Sequence, residues 1–117
     1  MDMQGAQMPG QFECYRVKAG EFRFRLVAGN GDIILSSDAY KSKTGCTKAI
    51  ASVMANSSNP DNFVREPTPR GSHRFNLVSL NGRVIATSQE FESTSAYNNG
   101  IMNVARETRG ASVKYQT

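Results

Sequence analysis

Residues 12–56 recur without a gap as residues 63–107, and this duplication limits the fold more than any other feature of the chain. A shift of 51 positions brings thirteen identical residues into register over 45. Phe12 falls on Phe63, Gly20 on Gly71, Arg23-Phe24 on Arg74-Phe75, and Leu26-Val27 on Leu77-Val78. Asn30-Gly31 falls on Asn81-Gly82, Ile34 on Ile85, Ser37 on Ser88, Ser42 on Ser93, Ile50 on Ile101 and Val53 on Val104. The matches sit at turns, caps and alternating apolar positions, where structure demands particular residues.

Each unit reads as three strands followed by a helix. The first strand is expected over 12–17, with Gly20 turning the chain after it. The second, over 22–28, alternates Phe22, Phe24, Leu26 and Ala28 against Arg23, Arg25 and Val27, the period-two pattern of a half-buried strand. Asn30-Gly31 and Asn81-Gly82 predict hairpin turns, since both residues tolerate positive φ. Third strands follow over 33–37 and 84–88. Ser42 and Ser93 are candidate helix N-caps, because a hydroxyl there accepts from the free N–H groups of the first turn. Cys46, Ala49, Ile50, Val53 and Met54 then form an apolar stripe at i, i+3, i+4, i+7 and i+8, and Tyr97, Gly100, Ile101, Val104 and Ala105 repeat it. Gly100 in mid-helix predicts a close approach to the sheet or to the other helix. Pro67 and Pro69 predict that the first strand of the second unit lies at an edge or bends away. Gly110 predicts a helix end, and Ser112 to Gln116 a last short strand.

The expected fold is α+β: two tandem β-β-β-α repeats with pseudo-twofold symmetry, an antiparallel sheet covered on one face by two helices. Residues 1–11, polar and rich in Gly and Met, are read as a flexible tail, and 12–117 as a single domain of repeat 1 (12–56), repeat 2 (63–107) and a C-terminal segment 108–117. A half of about 50 residues buries too little surface to stand comfortably alone, so the halves are expected to share a core. The expected state is a monomer with an internal pseudo-dimer.

No apolar run approaches the roughly 18 residues of a membrane span, and the N-terminus has no signal-like core. The cytoplasm is the expected compartment. Cys14 and Cys46 both lie in the first unit, opposite Arg65 and Tyr97 in the second, which favours free, partly buried thiols over a structural disulfide. The net charge of +4 is spread evenly, seven Lys or Arg in residues 12–56 and seven afterwards, which is the pattern of a solvated surface.

At these residues the sequence resembles the YegP-like family of small bacterial proteins. The resemblance rests on Lys18-Ala19-Gly20-Glu21-Phe22-Arg23-Phe24-Arg25-Leu26, on Ala28-Gly29-Asn30-Gly31 followed by 33–37, and on Tyr40-Lys41-Ser42. In the second unit it rests on Phe75-Asn76-Leu77, Asn81-Gly82, 85–88 and Asn99-Gly100-Ile101. It implies β-β-β-α units, duplicated in one chain or paired as a dimer, with a terminal strand exchanged between halves. It implies no catalytic residue. The chain departs from the family pattern at residues 67–72 and at Tyr97.

Candidate chemistry is sparse. His73, the one histidine, could join Ser72 and Asp61 as a triad only through convergent geometry, and it aligns with the apolar Phe22, so it reads as a packing residue. One histidine and two cysteines flanking a helix supply no four-ligand metal set. Gly29-Asn30-Gly31 lies between strands and is a turn, not a phosphate-cradling loop. Glu90 and Glu92 precede a helix, where its N-terminal dipole favours acids. No catalytic, metal or cofactor-binding residue is assigned. Two groups remain. Arg23, Arg25, Arg74 and Asn76 are expected together on the sheet face away from the helices, as a possible ligand or nucleic-acid face without stacking aromatics. Tyr40 and Phe91, just before each helix, either pack on the core or form a symmetric apolar pair for a partner. The expected function is binding to a protein partner without catalysis. Weak, low-specificity nucleic-acid binding through the arginine face is the alternative.

Overall fold

The computed structural model describes residues 10–116. Its elements run β1 (Gln11–Arg16), β2 (Phe22–Val27), β3 (Ile33–Ser36), α1 (Lys43–Asn56), β4 (Phe63–Pro67), β5 (His73–Val78), β6 (Val84–Thr87), α2 (Thr94–Thr108) and β7 (Ser112–Gln116). Of the tail expected over 1–11, residues 1–9 lie outside the described residues. Gly10 is buried and Gln11 already belongs to β1, pairing with Val27 and Ser112.

One seven-stranded sheet has the order β4-β5-β6-β3-β2-β1-β7. The repeats meet at its centre, where β3 and β6 pair antiparallel through Ser36 and Thr87, equivalent positions 51 apart. A second equivalent pair marks the same approximate twofold: the buried Ser57 and Thr108 hydroxyls meet at 2.8 Å where the two helices end. Phe12, Cys14, Phe22, Phe24 and Leu26 from repeat 1 and Phe63, Phe75 and Leu77 from repeat 2 face a common core with Ile50, Val53, Tyr97 and Val104 of the helices. Each helix straddles both repeats: α1 lies against β1 and β2 but also β5 and β6, and α2 against β5 but also β3.

The sheet is mixed, which corrects the antiparallel expectation. After α2 the chain leaves its own repeat and lays β7 parallel to β1, from Gln11↔Ser112 to Tyr15↔Gln116. This is the terminal-strand exchange that the resemblance implied. The strand after α1 is β4, which opens the second repeat and forms the opposite edge. Pro67 ends it, in keeping with a residue that has no N–H for a ladder.

Local signals explain the elements. Ser42 and Ser93 Oγ accept from the N–H groups of Gly45 and Ala96, each at 3.0 Å, capping the helices. Ser37 and Ser88 are identical in the repeats for a similar reason. Each buried hydroxyl accepts the N–H of Phe24 or Phe75, at 2.9 and 3.0 Å, and donates to the carbonyl of Asp38 or Gln89. Both Asn-Gly hairpins form as expected, with positive φ at Gly31 and Gly82 and at neither asparagine. Gly31 N–H bonds to Ala28 and Ala28 N–H to Asp32, so one extra residue enters the loop. This is a turn followed by a glycine bulge, and it needs a single left-handed residue.

Gly100 does permit a close approach, to Phe91 and not to the sheet or the other helix. A Cβ there would overlap the Phe91 ring, 2.9 Å from both Cε1 and Cε2. Phe91 lies 6.0 Å from Phe75 in a stacked arrangement, so it has little room to retreat. Gly100→Ala would gain about 1 kcal/mol of helix propensity. Overpacking costs about 1–3 kcal/mol. The expected net result is a destabilised protein, read as a lower denaturation midpoint at unchanged slope. A gain in stability would show that the ring moves freely.

Candidate functional site

Strand alternation leaves one sheet face without helices, and strand pairing arranges its side chains in rows. One row crosses all seven strands: Val64, Asn76, Thr87, Ser36, Arg25, Glu13 and Lys114. Arg23 and Tyr15 stand beside it on one half, Arg74 and Glu66 on the other. The four residues singled out from the sequence are therefore all on this face. They are not gathered at one point, because β6 and β3 lie between β5 and β2 and those two strands run in opposite directions. Strand spacing and rise put Arg23 and Arg74 roughly 20 Å apart.

One arginine in each half is paired with a carboxylate. Arg25 Nε donates to Glu13 at 2.7 Å. Arg74 Nε donates to Glu66 at 2.8 Å, and Asn76 Nδ2 donates to the same Glu66 oxygen at 3.2 Å, while Thr87 donates to Asn76. Repeat symmetry does not generate these pairs, since Glu13 is equivalent to Val64 and Glu66 to Tyr15. The face was expected to lack aromatics, and Tyr15 corrects this: the Arg25 guanidinium lies 4.8 Å above its ring. Alternation of Glu13 and Tyr15 against the buried Phe12 and Cys14 is the signal that places it there. Aliphatic pairs flank the rows, Val27 beside Ile33 at one end and Val78 beside Val84 at the other. Ile33 and Val84 are 45% and 50% exposed, which leaves real apolar area in water.

Tyr40 and Phe91 do not form an apolar pair. Each is half-buried, stacked on the core ring of its own repeat, Tyr40 on Phe24 at 6.3 Å and Phe91 on Phe75. Backbone bridges from Tyr40 to Phe22 and from Phe91 to His73 fix both. His73 is half-buried beneath Phe91, as a packing residue would be, and its Nδ1 has no partner among the described residues.

Glu90 corrects another expectation. It serves the first hairpin of repeat 2 and not the helix end: its carboxylate accepts from Ser72 at 2.6 Å and Thr68 at 3.3 Å. Arg70, Ser72, Glu90 and Glu92 line an open cleft of about 370 Å³. The Ser72 hydroxyl foremost, with Arg70, Thr68 and Arg74, holds the Glu90 carboxyl below its usual range. A carboxylate so stabilised is a weak proton acceptor, contrary to what a general base near neutrality requires. Ser72 is committed to this network and is not a free nucleophile.

The same direction holds for Glu66, lowered chiefly by the Arg74 hydrogen bond and then by Asn76. A carboxyl with a depressed folded pKa stabilises the protein above its unfolded value, near 4.3, and ceases to do so as pH falls through the folded value. Melting points are therefore expected to decline below about pH 4.5, and a Glu66→Gln, Glu90→Gln variant to decline less steeply. Parallel curves for variant and parent would refute the assignment. Both carboxyls are exposed, so the difference is expected to be small.

Comparisons with known proteins agree with this architecture. A family model described as a domain of unknown function, DUF1508, matches residues 18–63 and again 70–114. The chain is 41% identical over 106 residues to the UPF0339 protein in the ptx operon 5′ region of Stutzerimonas stutzeri, covering 91% of this chain and 96% of that one. It is 36% identical to YegP of Escherichia coli K12, covering 94% and 100%. The solution structure of the E. coli protein, described as of unknown function, superimposes with a TM-score of 0.87 at 36% identity, over 94% of this chain and 95% of that one. A UPF0339 protein of Shewanella oneidensis superimposes at 0.85 with 35% identity, over 92% of each. With two matched copies of the domain on one seven-stranded sheet, this chain belongs to the DUF1508 family in its tandem, YegP-like form.

Proposed function

We propose that the chain is a non-enzymatic, cytoplasmic binding protein, that its working surface is the helix-free sheet face, and that its partner is a protein. The observation that supports this reading is charge compensation within the face. Arg25 and Arg74 are each held by a carboxylate, Glu13 and Glu66, so the face offers mixed polarity between aliphatic ends. A polyanion cradle needs uncompensated cations along a track. A protein surface of mixed polar groups and exposed aliphatics is what this face complements. No helix among the described residues is long and apolar enough to cross a membrane.

The test is cross-linking in the native cell with the parent chain and an Ile33→Glu, Val84→Glu variant. A protein joined to the parent through this face, and lost from the folded variant, supports the reading. Equal recovery with both chains refutes it. The second reading, weak binding of single-stranded nucleic acid, draws on Tyr15, a stacking ring beside Arg23 on the same face. A mobility shift with RNA or single-stranded DNA that survives about 0.15 M salt, and is lost on Arg23→Ala, Arg74→Ala substitution, would favour it.

A further inference from the structure

We propose that Cys14 and Cys46 are a redox modification site, a dithiol that closes reversibly to an intrachain disulfide joining β1 to α1. Both side chains are fully buried, not partly as their sequence context suggested, and both are reduced. Their sulfurs lie 3.4 Å apart in a thiol-to-sulfur hydrogen bond. A disulfide needs about 2.05 Å. Closure thus requires a displacement of little more than 1 Å shared between two side chains.

The second repeat shows that the fold does not demand sulfur here. The equivalent positions are Arg65 and Tyr97, where the guanidinium stands 4.3 Å above the ring. Both repeats therefore tie the first strand to the helix at this station, one through a fixed cation–π contact and the other through a pair that can be made covalent. Burial, and then the Cys14 sulfur, push the Cys46 thiol up to about 12, so the reduced pair holds little thiolate and reacts slowly with thiol reagents and peroxide alike. Access for a small oxidant comes from local opening at the sheet edge, where Cys14 pairs in register with Tyr115 of the outermost strand β7.

The chemistry balances with a hydroperoxide as oxidant. Hydrogen peroxide oxidises one sulfur to a sulfenic acid and leaves as water. The second thiol attacks that sulfur, the S–S bond forms, the S–O bond breaks, and a second water departs with the thiol proton. A dithiol reductant reverses the reaction by exchange.

The test treats the full chain, folded and reduced, with hydrogen peroxide. The protein is then unfolded, alkylated and weighed intact. The expected product is a monomer lighter by two hydrogen atoms, closed to alkylation and reopened by dithiothreitol. Its melting point is expected to rise by about 5 °C or more, because the bond closes a long loop of the unfolded chain. Cys14→Ser and Cys46→Ala variants serve as controls that gain no internal bond. Two alkylatable thiols after treatment, a disulfide-linked dimer, oxidation to sulfinic acid without closure, or a melting point that falls on closure would each overturn the proposal.

Discussion

Phe75→Ala is expected to bring the protein close to unfolding at ambient temperature. Phe75 is fully buried on β5, with ring centres of Phe63, Tyr97 and Phe91 at 5.2, 5.8 and 6.0 Å. Truncating such a ring costs about 3–5 kcal/mol through lost transfer energy and the cavity left behind. Loss of its edge and stacked contacts acts in the same direction. A domain of this size has about 5–15 kcal/mol in all, so the melting point should fall by roughly 15–30 °C. Arg74→Ala removes an exposed ion pair on the next residue of the same strand and should cost about 1 kcal/mol or less. The contrast is the point of the experiment: adjacent residues on β5 face opposite sides of the sheet and differ several-fold in what they hold together. Thermal melts of the two variants check it. A Phe75→Ala protein within a few degrees of the parent would show that the four rings re-pack, and would undo the view of this cluster as the core of repeat 2.

Much of this core is legible in the sequence. Alternation in residues 22–28 identified Phe22, Phe24 and Leu26 as inward, Ser42 and Ser93 announced the helices, and Pro67 placed β4 at an edge. Such signals are local, set by the backbone geometry of a few neighbours. What stayed hidden was decided by strand order. Alternation fixes the face on which Arg25 lies but not that Glu13 stands opposite it, because that depends on register between strands. The parallel pairing of β7 with β1 joins residues about a hundred positions apart, which no short pattern encodes. Met54 belonged to the apolar stripe, yet it is partly exposed in an open groove that it lines with Ala105 and Thr108 of α2. The candidate site suffered most. A face can be read from one strand, but its charge balance depends on carboxylates from other strands, and those do not obey the repeat.

The same nonlocality gives the largest expected effect. Cutting the chain between Ser58 and Asn59 should leave two halves that do not fold as monomers and that assemble when mixed. Each half has fewer than 60 residues and would bury about 60% of its unfolded surface, a marginal fraction. Marginal becomes insufficient once the contacts across the cut are counted. Part of the inner face of α1 rests on β5 and β6, and α2 reaches β3, so each helix alone would expose apolar side chains to water. The first half would also lose β7, uncovering the edge beside Phe12 and Cys14, and both would lose the central pairing of β3 with β6. Circular dichroism of each fragment alone should show no cooperative transition as a monomer, and an equimolar mixture should recover the sheet with a concentration-dependent melting point. A half is expected to seek a second copy of itself in place of the missing repeat, and a concentration-dependent transition would report that pairing. A half that melts cooperatively at a midpoint independent of its concentration is the contrary result. It would mean that each β-β-β-α unit carries its own core, and that the twofold joins two finished domains instead of completing one.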